Sequence, residues 1–92
     1  MGQVKVRLPA VLADMVGGEQ WLDASGQTIG EALNDLVRRR PALALHFFDE
    51  AGVIRRHILC FHNDVYARGQ PGLARPVDPG DSITILNSVS GG

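Results

Sequence analysis

The sequence predicts an α+β fold, in which a mixed sheet of four to five strands packs against one main helix on one of its faces. Alternating apolar residues mark one strand at residues 4–8 and another at residues 82–86. A single long apolar stripe with helical spacing lies between them. The 92 residues allow one domain, residues 1–92, because a chain of this length buries only about 60–68% of its unfolded surface.

The first two strands are predicted to form a hairpin with a wide loop. Residues 4–8 alternate between apolar and basic side chains, the period of a strand with one buried face. Residues 10–16 form either a short helical turn or a packed loop. In the second strand, residues 20–24, we expect Leu22 rather than Trp21 to face the core.

The main helix begins at Thr28. Thr28 and Glu31 have the spacing of a capping box, in which each side chain satisfies a free backbone N–H. The apolar stripe that follows consists of Ile29, Ala32, Leu33, Leu36 and Val37. Burying each large member contributes about 1.5–3 kcal/mol, so this helix is the main apolar element of the core. Pro41 ends it, and we interpret the arginines at 38–40 as cations at a helix C-terminus rather than as a binding patch.

The second half is predicted to be strand-rich. Residues 42–48 form a helical turn, and residues 56–62, the most apolar run of this half, form a central strand. Residues 65–66 form a very short strand, and the long connection 67–81 leads to the last strand, residues 82–86.

This order of elements favours the β-grasp plan. The first and last strands lie parallel at the centre of the sheet, and the helix crosses one face. Residues 87–92 then leave a central strand as a flexible C-terminal tail. Gly91 and Gly92 have no side chains and add nothing to a core. One interpretation is that these glycines are simply a frayed chain terminus. The other is that they present an unhindered carboxylate that fits a narrow channel in another protein.

The composition argues against several classes of protein. The net charge is −1, with no basic run beyond three arginines, so we expect no nucleic-acid partner. No apolar run approaches the roughly 20 residues of a membrane span, and a single cysteine, Cys60, is typical of the cytoplasm. Cys60 and His62 share a strand face, but two ligands do not make a zinc site. We expect no metal and no bound cofactor.

One face of the sheet is the predicted docking surface. If Ile58 and Cys60 face the helix, Leu59 and Phe61 face away from it, beside His57. A contiguous apolar patch in water marks a partner site. We therefore expect a partner-docking face at these three outward residues, although a register shifted by one residue would exchange the two faces.

Segments along almost the whole chain match a known family. They are residues 4–8, 28–33, 48–52, 56–65, 72–73, 79–86 and 88–92. The most specific part is Gly80-Asp81, an apolar strand and a terminal Gly-Gly. The chain thereby resembles the ThiS/MoaD-type ubiquitin-like sulfur carriers, and within them the members that supply sulfur for cysteine synthesis.

The resemblance implies a protein co-substrate rather than an enzyme, with its chemistry at Gly92. An E1-like enzyme would use ATP to adenylate the Gly92 carboxylate, and a sulfur donor would then leave a thiocarboxylate. Val89, Ser90 and Gly91 would lie in the partner's active site. The sulfur would pass to a synthase, either a cysteine synthase dependent on pyridoxal phosphate (PLP) or another thiolating enzyme, and a metalloprotease would release cysteine.

The resemblance leaves two alternatives open. The chain is also similar to molybdopterin-synthase small subunits and to ubiquitin-like modifiers that are conjugated through Gly92. Asn87 and Ser88 stand where many relatives have prolines, and His62 stands where relatives more often have an aliphatic residue. The tail sequence does not separate the cysteine, thiamin, molybdopterin and secondary-metabolite pathways.

Overall fold

The structure is a computed structural model and describes residues 3–87. These residues form a five-stranded mixed sheet with the main helix packed on one face. The strands are β1 (Gln3–Arg7), β2 (Trp21–Ser25), β3 (Ile58–His62), β4 (Val65–Ala67) and β5 (Ser82–Asn87). The helices are α1 (Ala10–Ala13), α2 (Ile29–Arg39), α3 (Ala44–Phe47) and α4 (Gly69–Gly72), with 3-10 turns at Asp14–Val16 and Pro41–Leu43. Within this part of the chain, none of the helices has the length and apolar character needed to cross a membrane.

The first and last strands lie side by side and parallel, as predicted. The order across the sheet is β2-β1-β5-β3-β4, and Val6 of β1 lies opposite Ile83 of β5. All the other strand pairs are antiparallel. The apolar side of α2 shares one buried cluster with β1 and β5. The predicted β-grasp architecture is therefore confirmed.

The β1–β2 hairpin also follows its sequence pattern. Val4 and Val6 are fully buried, and their neighbours in the strand are exposed. Leu22 is buried and Trp21 is exposed, as expected. Of the two alternatives for the connection, the helical turn is correct, because α1 runs into a 3-10 turn and buries Leu12.

Helix α2 begins at the predicted cap. The Glu31 backbone N–H donates to Thr28 Oγ1 at 3.1 Å. The Glu31 carboxylate accepts from the backbone N–H of Gln27 at 2.9 Å, one residue before the cap itself, so the reciprocal bond of the capping box is displaced by one residue. Four stripe residues are buried: Ile29, Ala32, Leu33 and Leu36. Val37 is only partly buried at the edge of the stripe.

Two of the three arginines at the end of α2 are paired within their own helix. Asp35 accepts from Arg38 at 2.7 Å and from Arg39 at 2.9 Å. Its pKa lies below the usual value, chiefly because the backbone N–H of Ser25 donates to it and also because both guanidinium groups face it. The interpretation of residues 38–40 as cations at a helix end agrees with this pairing.

The segment after α2 forms the predicted helical turn. The 3-10 turn Pro41–Leu43 continues into α3, and Leu43 and Phe47 are fully buried. The Phe48 ring packs edge-on against Phe47, with 6.2 Å between the ring centroids. These side chains close the core at the end of α2.

The predicted start of β3 and the predicted end of β5 need correction. Strand β3 begins at Ile58 rather than at Arg56, because Arg56 and His57 form a turn. It lies between β5 and β4 and is therefore an interior strand, as predicted, while β5 is the middle strand of the five. Strand β5 continues through Asn87, which pairs with Ile58. The prediction that the tail begins at residue 87 is therefore wrong by one residue, because Asn87 still belongs to β5. Residues 88–92 of the predicted tail lie outside the described residues.

The long connection at residues 67–81 contains α4, which the sequence patterns do not predict. A Cβ on Gly72 would lie 2.5 Å from the carbonyl carbon of Ala67, so only glycine permits this close approach. After α4, Leu73 is buried, and its carbonyl accepts from the backbone N–H of Gly30 at 2.8 Å. The connection thus supplies an acceptor to the first turn of α2.

Replacing Leu33 by alanine tests whether α2 is the main apolar element of the core. Leu33 is fully buried, whereas Leu45 on α3 is 74% exposed. We expect Leu33→Ala to lower the free energy of unfolding by about 2–5 kcal/mol, and Leu45→Ala to change it by less than about 0.5 kcal/mol. Urea denaturation followed by circular dichroism measures both. Equal losses in the two variants would contradict the assigned packing.

Candidate functional site

An apolar surface lies on the side of the sheet away from α2. In β3, Ile58 and Cys60 are buried in the core, and Leu59 and Phe61 lie on the outer face, where they are half-buried. The alternation therefore has the predicted orientation. Neighbouring strands shield part of Leu59 and Phe61, so each contributes only one side of its side chain to the surface.

Two residues that the sequence reasoning missed complete this surface. Leu86 of β5 lies opposite Leu59 and is 44% exposed, and Tyr66 of β4 lies opposite Phe61 and is 46% exposed. The rings of Phe61 and Tyr66 are 5.3 Å apart between centroids. We call Leu59, Phe61, Tyr66 and Leu86 the outer patch. Residues directly opposite each other on neighbouring strands point to the same face of a sheet. Leu86 and Tyr66 therefore lie on the outer face, because they are opposite Leu59 and Phe61.

His57 is the third residue of the predicted docking face, and it lies beside the patch rather than within it. It is exposed in the turn that precedes β3. This turn lies at the same end of the sheet as the end of β5, because Ile58 pairs with Asn87. A protein that covered the outer patch and the end of β5 would also meet His57.

The outer patch borders the part of the chain that carries the predicted chemistry. Leu86 is the last residue but one of β5. The predicted reactive terminus Gly92 and the tail residues Val89, Ser90 and Gly91 lie outside the described residues, so their roles remain predictions. The end of β5 nevertheless fixes where that segment begins, at the rim of an apolar surface.

The other half of the outer face is charged. Lys5 of β1 forms an ion pair with Asp23 of β2 at 3.1 Å, and the guanidinium of Arg7 lies 5.7 Å from the centre of the exposed Trp21 ring. Both ionic groups of the pair are largely exposed, so this contact adds little stability. The face is thus divided into an apolar half over β5, β3 and β4, and a polar half over β1 and β2.

A polar network lies at the opposite end of the sheet. Arg75 Nε donates to His62 Nδ1 at 2.7 Å, so His62 carries its proton on Nε2 and donates to Asp81 Oδ2 at 2.7 Å. The same oxygen accepts from the backbone N–H of Asp78 at 2.9 Å. The pKa of Asp81 lies below the usual value, first because of the Asp78 N–H and then because of His62.

This network gives His62 a structural role. It joins β3 to the long connection before β5, because Asp81 and Arg75 both belong to that connection. The imidazole uses both ring nitrogens in hydrogen bonds, so it has none left for a ligand. His62 stands where relatives more often have an aliphatic residue, and its hydrogen bonds to Asp81 and Arg75 give a structural reason for a histidine at this position.

The core cysteine is not a nucleophile. Cys60 is buried, and burial raises its pKa to about 12. Among residues 3–87, no group of three or more His, Cys, Asp or Glu side chains lies together in a way that could hold a metal ion. Within that range, the geometry favours a surface that another protein recognises over a catalytic centre.

The model of the ThiS family matches residues 6–92. The chain belongs to the ThiS family. It is also 34% identical to the sulfur carrier protein CysO of Mycobacterium tuberculosis over 91 residues, which are 97% of this chain and 98% of that protein. By these two likenesses it is a sulfur carrier of the CysO and ThiS type.

Solved structures support the placement of this ThiS-family chain. The solution structure of small archaeal modifier protein 1 from Methanosarcina acetivorans matches with a TM-score of 0.88 and 31% identity, covering 100% of this chain and 98% of that one. A chain of the Amycolatopsis orientalis BexX/CysO complex matches with a TM-score of 0.83 and 33% identity, covering 97% and 99%. The second structure is a complex of a CysO protein with a partner.

Replacing Asp81 by asparagine in this ThiS-family chain tests the polar network. The depressed pKa of Asp81 means that its carboxylate stabilises the fold above the unfolded pKa, near 4, and that this stability is lost as the pH falls through the lower folded value. We expect Asp81→Asn to lower the melting temperature at pH 7 and to flatten its decline between about pH 5 and pH 2. Asp64→Asn, in the adjacent exposed turn, is the control. A decline unchanged by Asp81→Asn would contradict the assigned hydrogen bonds.

Proposed function

We propose that this chain carries sulfur as a thiocarboxylate on Gly92 and donates it in biosynthesis as a co-substrate of partner enzymes. The observation that carries the proposal is the position of β5. The strand that leads to the predicted reactive segment is the central strand of the sheet, and the apolar outer patch borders its end. The body of the protein then serves to hold and present one terminus.

The proposed chemistry begins with the Gly92 carboxylate, which is a poor electrophile. An E1-like enzyme joins it to the α-phosphate of ATP and releases pyrophosphate, which gives an acyl adenylate. Hydrosulfide from a sulfur donor then attacks the acyl carbon, and AMP leaves with the electron pair of the acyl–oxygen bond, which gives the thiocarboxylate with no change in oxidation state. Glycine at positions 91 and 92 suits this transfer because the absence of side chains lets the segment pass through a narrow channel.

The outer patch gives the activating enzyme a surface to recognise. Its four apolar side chains form one contiguous surface beside the end of β5. Burial of such a surface drives association, and aromatic residues near its centre are typical of binding hot spots. We propose that docking there directs Val89, Ser90 and Gly91 into the enzyme's active site.

The proposed acceptor is a PLP-dependent cysteine synthase, with a metalloprotease releasing the product. The likeness to CysO supports this branch of the family. The thiocarboxylate sulfur suits the transfer because it is a soft, weakly hydrated nucleophile on a tethered acyl group. Another thiolating synthase would use the same carrier chemistry with a different acceptor.

A second function is favoured by one observation. The match to small archaeal modifier protein 1 supports conjugation of Gly92 to lysine side chains through the same acyl adenylate. The two functions differ in what attacks the adenylate, a sulfur donor or an amine. Conjugation produces ladders of larger species that contain the chain, whereas sulfur transfer regenerates the free chain.

Adding one alanine after Gly92 tests the role of the terminus. The purified chain is incubated with ATP, an E1-like enzyme and a sulfide source and is then analysed by intact mass spectrometry. We expect the unmodified chain to gain the mass of one oxygen-for-sulfur exchange and the extended chain to gain none. Both should share one melting temperature. Because Cys60 is buried, alkylation of the native protein should label the thiocarboxylate far faster than the thiol. Thiolation of the extended chain would refute the proposal.

Replacing Leu59 by aspartate tests the outer patch. A charge at the centre of an apolar interface should raise the Kd for the activating enzyme by about 10–100-fold, as loss of a hot-spot residue does. The melting temperature should change little, since Leu59 already borders water. Leu45→Asp places the same charge on an exposed site of α3 and should bind normally. A large stability loss with unchanged binding would mean that Leu59 serves the core.

A further inference from the structure

A groove lies at the same end of the sheet as the last residue of β5. A groove of about 350 Å³ opens where the β3–β4 hairpin meets the segment before β3. Its floor includes the buried side chains of Ile54 and Ile58. Its rim includes Arg55, Arg56, Arg68 and the outer-patch residue Tyr66. We call this cavity the basic groove.

The lining of the basic groove contains positively charged side chains and no acidic side chain. Three of the nine Lys and Arg residues line it, and no acidic residue does. Arg55 is held in place, because its Nε donates to the carbonyl of Leu45 at 2.7 Å. Arg56 and Arg68 are exposed and form no ion pair with any residue between 3 and 87. This concentration of charge contrasts with a whole-chain net charge of −1.

No acidic residue near the groove along the chain belongs to its lining, including Asp64 of the β3–β4 turn. Asp49 and Glu50 lie in the preceding turn. The Asp49 Oδ1 atom accepts from the backbone N–H groups of Ala51 and Val53, at 2.9 and 3.0 Å. That carboxylate is thus oriented into its own turn. Neither acidic residue belongs to the lining.

The basic groove and the outer patch form one continuous surface. Tyr66 belongs to both, and Ile58 on the groove floor pairs with Asn87 at the end of β5. A protein that received the segment after Asn87 would therefore sit over the groove as well as the patch. Its side chains there would face arginines and an apolar floor.

We propose that the basic groove binds an acidic segment of the activating enzyme, with carboxylates on Arg56 and Arg68 and an apolar side chain on the Ile54–Ile58 floor. This inference rests on the proposed function and adds the chemistry of the partner's contact. Arginine binds carboxylates through two parallel N–H bonds. Complementary charge at the edge of an interface also raises the association rate and orients the complex before docking. The outer patch supplies apolar contact, and the groove sets the orientation of the carrier on the enzyme.

Reversing the two exposed charges tests the proposal. The double variant Arg56→Glu/Arg68→Glu is compared with Arg38→Glu/Arg40→Glu, which makes the same change in net charge on the helix side of the sheet. Calorimetric titration with the activating enzyme at about 50 mM salt, where screening is weak, gives Kd, and steady-state thiolation gives KM and kcat. We expect the groove variant to raise Kd and KM at least about tenfold and to leave kcat unchanged. The control should stay within about threefold, and the wild-type Kd should rise with salt more steeply than that of the groove variant.

The outcomes separate this inference from the proposed function. If the wild-type chain is thiolated and the groove variant shows the same Kd and KM, the groove inference fails and the carrier function stands. If the wild-type chain binds the enzyme and gains no sulfur, the carrier function fails. The Kd of the wild-type chain, compared with the Kd of the groove variant, then still tests whether the groove binds the enzyme. If the wild-type chain does not bind the enzyme, both fail. If sedimentation shows a wild-type dimer that the groove variant loses, the occupant is a second copy of the chain, and the inference is wrong.

Discussion

The parallel pairing of β1 with β5 is the constraint on which the rest of the structure depends. Two parallel neighbours cannot be joined by a tight turn, so the chain must leave one end of the sheet and return to the other. The 74 residues between Arg7 and Ser82, that is, residues 8–81, are this crossover. They contain α2, which covers the inner face, and β3, which pairs with the other side of β5. With β1 and β3 on its two sides, the last strand occupies the centre.

This arrangement also explains why residues 3–87 leave side chains on one face of the sheet in contact with water. Helices α1, α2 and α3 contribute their buried side chains to a single core on the inner face, so none of the helices within residues 3–87 is shown to form a second layer over the outer face. Antiparallel and mixed sheets tolerate this when the outer side chains are polar. Here β1 and β2 follow that rule with Lys5, Asp23 and Arg7, whereas the patch over β3, β4 and β5 breaks it. A local violation of the rule beside the end of a central strand is where a partner surface is expected.

The sequence predicts the parts of the fold that depend on local periodicity. The alternation at β1, the cap at Thr28 and the stripe on α2 are each short-range patterns, and the structure has all three. The orientation of β3 also follows from a period of two. What the sequence misses depends on contacts between distant segments: the extent of β5 is set by Ile58, and α4 is set by the close approach of Gly72 to Ala67. No local pattern contains those distances.

The same distinction applies to the candidate site. Leu59 and Phe61 follow from the alternation within one strand, but Tyr66 and Leu86 join them only through the cross-strand register. The basic groove is less predictable still, because Arg55 and Arg56 are separated from Arg68 by the whole β3–β4 hairpin. In the sequence these arginines are a pair and one distant residue, while two of the three arginines in the more conspicuous run at residues 38–40 pair with Asp35. The charges that the fold leaves without an ion pair near the end of β5 are therefore set by tertiary contacts, and clustering along the chain is a poor guide to them.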